Sequence, residues 1–162
     1  MNKIRILIIG LGRIGKIHLA NLQAMDEVEI IGICDPTDEA KVFSNKAGIR
    51  FYQKDFTDIA SEVQTDAIVI CSPTDTHANY VSLAAKKGID VFCEKPLDLS
   101  LKKVKEVLKT VSETKIKLML GFNRRFDSEF QSVKEKIVKG EIGDIHTIKI
   151  TSRDPSPPPI NY

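Results

Sequence analysis

Short apolar runs alternate with helical patterns along most of the chain. The apolar runs predict strands over 3–9, 28–34, 49–52, 66–71, 90–93 and 117–121. Between them, apolar residues recur every three or four positions and predict helices over 14–25, 37–47, 56–63, 76–87, 99–113 and 125–139. Gly48, Gly88 and Gly140 stand where three of these helices should end.

The predicted strands contain few polar positions, which is typical of strands covered by helices on both faces. With right-handed crossovers, this order of elements predicts an α/β fold with a doubly wound parallel sheet of the Rossmann type. Ligands of such sheets bind outside the carboxyl ends of the strands. We therefore expect the binding residues directly after the strands.

The first strand leads into a glycine-rich turn and then a helix. The turn reads Gly10-Leu11-Gly12-Arg13-Ile14-Gly15, a G-x-G-x-x-G motif in the strand–turn–helix context of a dinucleotide site. Gly10 permits a tight turn, Gly12 lets the backbone approach a pyrophosphate, and Gly15 allows close packing of helix on strand. The free N–H groups of the helix N-terminus favour phosphate binding.

Asp35 follows the second strand, and its carboxylate suits the two hydroxyls of an adenine ribose. Asp-Pro also commonly starts a turn or caps a helix, so this second interpretation stays open. No Arg or Lys occurs between Asp35 and Lys41, so a 2′-phosphate would meet only negative charge. The cofactor prediction is NAD.

Three further strand ends carry polar residues. Glu94-Lys95-Pro96 follows the fifth strand, and a neutral Lys95 amine could take the proton released from a substrate hydroxyl during hydride transfer. The alternative is a solvated lysine in a turn. Ser72 follows the fourth strand, and His77 either contacts the cofactor or has a packing or capping role.

Arg124 and Arg125 follow the sixth strand. They either hold substrate oxygens or form ion pairs with Asp127 and Glu129.

The character of the chain changes after Phe122. A charged helix is followed by an alternating stretch over 145–151, which predicts a half-exposed strand of an antiparallel sheet. One strand is not a domain. We predict a dinucleotide-binding domain over 1–122, followed over 123–162 by a connecting helix and the first strand of a truncated second α+β domain.

Composition excludes several classes of protein. The 162 residues carry 24 basic and 22 acidic side chains, a net charge of +2, so charge gives no reason to expect a nucleic-acid partner. The apolar runs are too short to span a bilayer, and no signal peptide is recognisable, so we expect a cytoplasmic protein with no membrane partner. The three cysteines fit a reducing compartment and are best interpreted as small buried apolar residues.

Four segments together resemble the Gfo/Idh/MocA family of sugar and polyol oxidoreductases. They are GLGRIGKIH at 10–18, CSPTDTH at 71–77, EKPL at 94–97 and GFNRRFD at 121–127. The segment SRDPSPPP at 152–159 resembles the inositol dehydrogenase branch.

The resemblance implies NAD-dependent hydride transfer from a ring hydroxyl of a cyclic polyol or sugar, in a homo-oligomer. It implies a role for Lys95 in catalysis or substrate binding and places Arg124 and Arg125, our candidates for substrate binding, near the substrate pocket. It implies cofactor contacts from Gly10, Gly12, Arg13, Ile14, Gly15, Asp35, Ser72 and Glu94, and we add Pro73, His77 and Lys95 as candidates for cofactor contact. Family members run to about twice this length, and their second domain supplies an Asp and a His that residues 1–162 lack. We therefore expect the isolated chain to bind NAD without turnover, and a non-catalytic NAD-binding module is the alternative function.

Overall fold

Strands and helices alternate through the structure, a computed structural model that describes residues 3–153. The strands are β1 Ile4–Ile9, β2 Val28–Cys34, β3 Phe51–Tyr52, β4 Ala67–Ile70, β5 Asp90–Cys93 and β6 Leu118–Leu120. The helices are α1 Arg13–Gln23, α2 Asp38–Lys46, α3 Phe56–Ile59, α4 Thr74–Lys86, α5 Leu101–Thr114 and α6 Ser128–Val138, with a 3-10 helix over Asn123–Phe126. The predicted helix over 56–63 is wrong in its length, since α3 ends at Ile59.

The strands form one parallel sheet in the order β3-β2-β1-β4-β5-β6. The chain starts near the middle, moves outward to β3, and then returns past β1 to build the other half. This order reverses direction between β1 and β4, which is the topological switch point of a doubly wound fold. The predicted fold class is confirmed.

Two apolar cores cover the two faces of this sheet. Successive side chains of a strand point to opposite faces, so Leu7 and Ile9 of β1 enter one core while Ile6 and Ile8 enter the other. The first core packs under α3, α4 and α5, and the second packs under α1 and α2. Burial on both faces explains why the strands read as continuous apolar runs.

The chain divides between Phe122 and Asn123 into two compact units. The first unit contains the sheet. In the second, Asp127 caps α6 by accepting hydrogen bonds from the backbone N–H groups of Glu129 and Phe130. Where one helix over 125–139 was predicted, the structure has the 3-10 helix followed by α6.

The strand predicted over 145–151 is wrong for the residues described, which carry no assigned secondary structure there. A strand is defined by its ladder hydrogen bonds, and the described part of the second unit offers no strand to pair with this stretch. Alternation in the sequence indicates which residues would face each side of a strand. It does not provide a neighbouring strand for hydrogen bonding. The proline run at 155–159 lies outside the described residues.

No helix between residues 3 and 153 is both long and apolar enough to cross a bilayer.

The three cysteines lie at or just beyond strand ends, with Cys34 and Cys93 buried and Cys71 half-buried. Burial raises the pKa of each thiol to about 12, and the charge of Glu94 adds to the effect at Cys71 and Cys93. Since the thiolate is the reactive form, these groups should be inert.

We expect the folded chain to react with Ellman's reagent at least about a hundredfold more slowly than a free thiol at about pH 8, because only about 10⁻⁴ of each thiol is ionised. All three thiols should react after unfolding in guanidinium. A Cys71→Ser variant identifies any contribution from the half-buried thiol. A thiol that reacts at the free rate in the folded chain would contradict this assignment.

Candidate functional site

The carboxyl ends of five strands are aligned by their register. Ile9 of β1 pairs with Cys34 of β2 and with Ile70 of β4, Ile70 pairs with Cys93 of β5, and Cys93 pairs with Leu120 of β6. The residues that follow these ends therefore lie at one level along one edge of the sheet: Gly10, Asp35, Cys71, Glu94 and Gly121. We call this line of residues the carboxyl edge.

Backbone hydrogen bonds extend the ladder one residue into the carboxyl edge. The N–H groups of Gly10, Cys71 and Glu94 donate to the carbonyls of Cys34, Ile9 and Ile70 at 2.7–2.9 Å. The loops that carry the candidate residues are thus fixed where they leave the sheet.

The glycine turn is packed against backbone on its inner side and open on its outer side. A Cβ on Gly10, whose φ is +87°, would lie 2.6 Å from the backbone nitrogen of Ser72, and one on Gly15 would overlap the carbonyl oxygen of Gly10. A Cβ on Gly12 would meet nothing within 4 Å. Gly10 and Gly15 are thus required by packing, whereas the absence of a side chain at Gly12 leaves open space for a ligand.

The N-terminus of helix α1 lies beside that space and is not capped by a side chain. Its N-cap is Gly12, no side chain caps it, and its first turn contains no acidic residue. The first backbone N–H to bond back is that of Lys16, to Gly12. Arg13 is exposed and Ile14 half-buried in this first turn. The combination of free N–H groups, the helix dipole and a nearby guanidinium favours an anion such as a pyrophosphate.

Asp35 is 8% exposed, and its contacts support the turn interpretation. Its Oδ1 accepts from the N–H of Thr37 at 2.8 Å and from the Thr37 hydroxyl at 2.6 Å, which fixes the turn before α2. Its Oδ2 accepts from the N–H of Leu11 at 2.7 Å, which holds the glycine turn. A carboxylate has about four acceptor sites, so it keeps capacity for a ribose hydroxyl.

His77 is 2% exposed and lies beneath the carboxyl edge. Its Nδ1 is 2.8 Å from the carbonyl oxygen of Pro96, and its Nε2 is 2.8 Å from that of Ser72. Both ring nitrogens face backbone carbonyls, so the structure supports the packing alternative for His77 over a cofactor contact. The ring instead joins the loop after β4 to the loop after β5.

Ser72 and Pro73 lie in the loop between β4 and α4. Ser72 is half-buried with its hydroxyl 2.6 Å from that of Thr76, and Pro73 is exposed and precedes α4 as its N-cap. No side chain caps α4. The hydroxyl of Thr76 instead donates to the carbonyl of Pro73.

Glu94 and Lys95 follow β5 on the same edge. The Glu94 carboxylate is 2.8 Å from Nε2 of His18 and accepts from the N–H of Lys95 at 3.2 Å. Lys95 is exposed, and its bond to Pro96 is cis. An exposed amine at this edge can reach a ligand, whereas the carboxylate beside it is held from two sides.

Arg124 and Arg125 belong to the second unit. Arg124 forms an ion pair with Asp127 at 3.4 Å and lies over the ring of Phe130 at 5.2 Å. The structure therefore supports the ion-pair interpretation for Arg124. The backbone carbonyl of Arg125 accepts from the Gln131 amide at 3.0 Å.

Sequence reasoning missed His18 and Thr37 as parts of this arrangement. Thr37 lies two residues from Asp35, and the Asx-turn habit of Asp was the available signal. His18 and Glu94 are 76 positions apart, and no local pattern indicates such a pair. Within residues 3–153, no cluster of three or more His, Cys, Asp or Glu could hold a metal ion.

The geometry agrees with a comparison against protein families. The family described as "Oxidoreductase family, NAD-binding Rossmann fold" (GFO_IDH_MocA) matches residues 4–122. The chain belongs to the Gfo/Idh/MocA oxidoreductase family. NAD is the cofactor of this domain, as the sequence predicted.

Two curated relatives from this family are similar over nearly the whole chain. An inositol 2-dehydrogenase of Rhizobium meliloti is 41% identical over 160 residues, which are 98% of this chain and 48% of the relative. A myo-inositol 2-dehydrogenase of Thermotoga maritima is 42% identical over 159 residues, again 98% of this chain and 48% of the relative. The chain spans about half the length of these family members.

A solved family member carries the cofactor. The scyllo-inositol dehydrogenase of Lactobacillus casei, crystallised with NAD(H) and scyllo-inositol, matches with a TM-score of 0.82 at 30% identity. The match covers 88% of this chain and 43% of that protein.

The glycine turn offers a matched pair of substitutions. We expect Gly12→Ala to melt like the parent, because its methyl group meets no atom, and to bind NAD about tenfold more weakly, because the methyl group occupies ligand space. We expect Gly15→Ala to lose about 1–3 kcal/mol of stability, because its methyl group overlaps the Gly10 carbonyl. Thermal melting and calorimetric titration with NAD distinguish the two effects.

The assignment would be overturned by a Gly12→Ala variant that binds NAD as tightly as the parent. A Gly15→Ala variant of parental stability would show that the turn and the helix are less tightly packed than described.

Proposed function

We propose that this chain is the cofactor-binding half of an NAD-dependent dehydrogenase that oxidises a ring hydroxyl of a cyclic polyol or sugar, with an inositol as the first candidate. The observation that carries the proposal is the carboxyl edge itself, where an anion-binding helix end, a ribose-type carboxylate and an exposed lysine share one level of the sheet. The similarity to inositol 2-dehydrogenases supports the choice of substrate class.

The sheet order suggests how NAD lies along this edge. Asp35 follows β2, the glycine turn follows β1, and Ser72 and Glu94 follow β4 and β5 on the far side of the switch point. We assign the adenine ribose to Asp35 and the pyrophosphate to the glycine turn with Arg13 and Ile14. The nicotinamide half then extends over Ser72, Pro73, Glu94 and Lys95.

Lys95 is the residue to which we assign proton transfer. Oxidation of a secondary alcohol removes a hydride from carbon and a proton from oxygen, and leaves a ketone. NAD, when bound, accepts the hydride. The amine of Lys95 takes the proton from the hydroxyl oxygen, because it is the exposed basic group that follows β5 beside the assigned nicotinamide half.

The second unit supplies the remaining candidates. We assign substrate contacts to Arg124 and Arg125 and treat 123–162 as the beginning of a substrate domain. Ile148 and Ile150 are 70% and 82% exposed, which supports their burial by a further part of the full protein or by a second subunit. Three free cysteines support a reducing, cytoplasmic location. The exposure of Ile148 and Ile150 supports a homo-oligomeric enzyme.

An NAD-binding module without turnover is the second candidate. It is favoured by the chain spanning about half the length of its relatives. The family resemblance implies that a catalytic Asp and His belong to the second domain. The two candidates differ in turnover and agree on NAD binding.

The test separates cofactor binding from catalysis. We expect this chain to bind NAD in a calorimetric titration and to produce no NADH with myo- or scyllo-inositol. A fusion of residues 1–162 to the second half of the Rhizobium meliloti relative should produce NADH. In that fusion, Lys95→Met should lower kcat by about 10²–10⁴-fold, the usual worth of an acid–base group, with NAD affinity little changed.

Lys87→Met is the matched control, because Lys87 follows α4 at the start of β5, at the opposite edge of the sheet, and should leave kcat unchanged. Turnover by the unfused chain would mean that the catalytic groups are misplaced. An inactive fusion that still binds NAD would favour the binding-module alternative.

A further inference from the structure

One contact that the proposed function leaves unexplained connects helix α1 to the carboxyl edge. Nε2 of His18 lies 2.8 Å from Oε1 of Glu94, and the two side chains are only 24% and 20% exposed. A carboxylate oxygen only accepts, so Nε2 carries the proton and donates it. Hydrogen bonds to charged groups in such partly dry surroundings are stronger than those between neutral groups.

The orientation of the His18 ring is set by a second contact. The ring meets that of Phe92 edge to face, with centroids 4.9 Å apart. Phe92 lies on β5, and Glu94 follows two residues later, where its N–H still continues the ladder by donating to Ile70. Both side chains therefore point to the face of the sheet that α1 covers. One residue of α1 therefore packs on Phe92 and donates to Glu94.

The Glu94 carboxylate is held on its other sides as well. Its Oε2 accepts from the N–H of Lys95 at 3.2 Å, and the Glu94 backbone N–H donates to Ile70 at 2.9 Å. A Cβ on Gly121, which follows β6, would lie 3.0–3.2 Å from the carboxylate atoms, so a side chain at this position would press on the carboxylate. The carboxylate therefore lies between His18 of α1 and Gly121, the residue that follows β6.

This contact connects the two halves of the cofactor site. Helix α1 begins at the glycine turn, where the pyrophosphate is assigned, and His18 lies in its second turn. Glu94 and Lys95 lie on the opposite side of the switch point, where the nicotinamide half is assigned. His18 is the side chain through which the phosphate-binding helix contacts that half.

We propose that His18 is a positioning residue that holds the Glu94 carboxylate, and through it the backbone of Lys95, in the orientation that the nicotinamide half of NAD requires. The inference rests on the proposed placement of NAD along the carboxyl edge. His18 itself does not touch the cofactor. Its effect should therefore appear for ligands that reach Glu94 and be absent for ligands that stop at the pyrophosphate.

The test compares NAD with ADP, which has the adenine ribose and the pyrophosphate but neither the second ribose nor the nicotinamide. His18→Phe keeps a ring against Phe92 and removes the donor, whereas His18→Gln removes the ring and keeps a donor at nearly the same place. We expect His18→Phe to bind NAD at least about fivefold more weakly than the parent, because it loses a hydrogen bond to a charged group. Its ADP affinity should stay within about twofold of the parent. His18→Gln should restore most of the NAD affinity.

Two further variants complete the design. If His18 acts through Glu94, His18→Phe should have little additional effect on NAD affinity in a Glu94→Ala background, which offers His18 no acceptor. His146→Phe is the matched control, since His146 is exposed in the second unit, and both affinities should be unchanged. Thermal melting of each variant reports whether it is folded.

Parental NAD affinity in His18→Phe would overturn the inference. Equal weakening of NAD and ADP would also overturn it, because that result indicates a purely structural role in α1. A parent chain that binds NAD no better than ADP would instead remove the proposed contacts of the nicotinamide half, and would identify the failure as one of the proposed function.

Discussion

The common register of the strand ends is the constraint on which the rest of the site depends. Five strands end at paired residues, so five loops leave the sheet at one level. Parallel strands make this possible, because every carboxyl end points the same way and each crossover helix returns along a face of the sheet. Residues as distant in sequence as Gly10 and Glu94 then share an edge with no direct bond between them.

Close backbone contact keeps this edge compact. The Gly10 turn after β1 packs against the backbone of Cys71 and Ser72 after β4, with no room for a side chain. Asp35 adds a polar connection from β2 to the N–H of Leu11. Since these contacts involve backbone atoms, they tolerate change in neighbouring side chains but not in the glycine, and they fix the helix N-terminus relative to the ribose-type carboxylate.

The sequence predicted the features that local patterns determine. The apolar runs located every strand end to within two residues. The glycine motif located the start of α1 to within one residue, because the strand and the helix that flank it are adjacent in sequence. The sequence also predicted that Asp35, Ser72 and Lys95 lie at one edge of the sheet, because parallel topology brings the carboxyl ends of the strands together. Features that depend on contacts with distant residues were not predictable. The stretch 145–151 alternates like a strand but forms no ladder in the described chain. His77 is a polar residue, yet its ring is buried. The pairing of His18 with Glu94 belongs to the same class, since it exists only after α1 folds onto β5.

The central claim is that NAD lies along the carboxyl edge from β2 to β5, and backbone amide NMR of this chain during a titration with NAD tests it most directly. We expect the amides that shift most to belong to residues 10–15 and to Asp35, Thr37, Cys71, Ser72, Glu94 and Lys95. Amides at the opposite edge, such as those of Glu27, Asp66 and Lys117, should keep their positions. Shifts centred on that opposite edge, or confined to residues 123–153, would contradict the account.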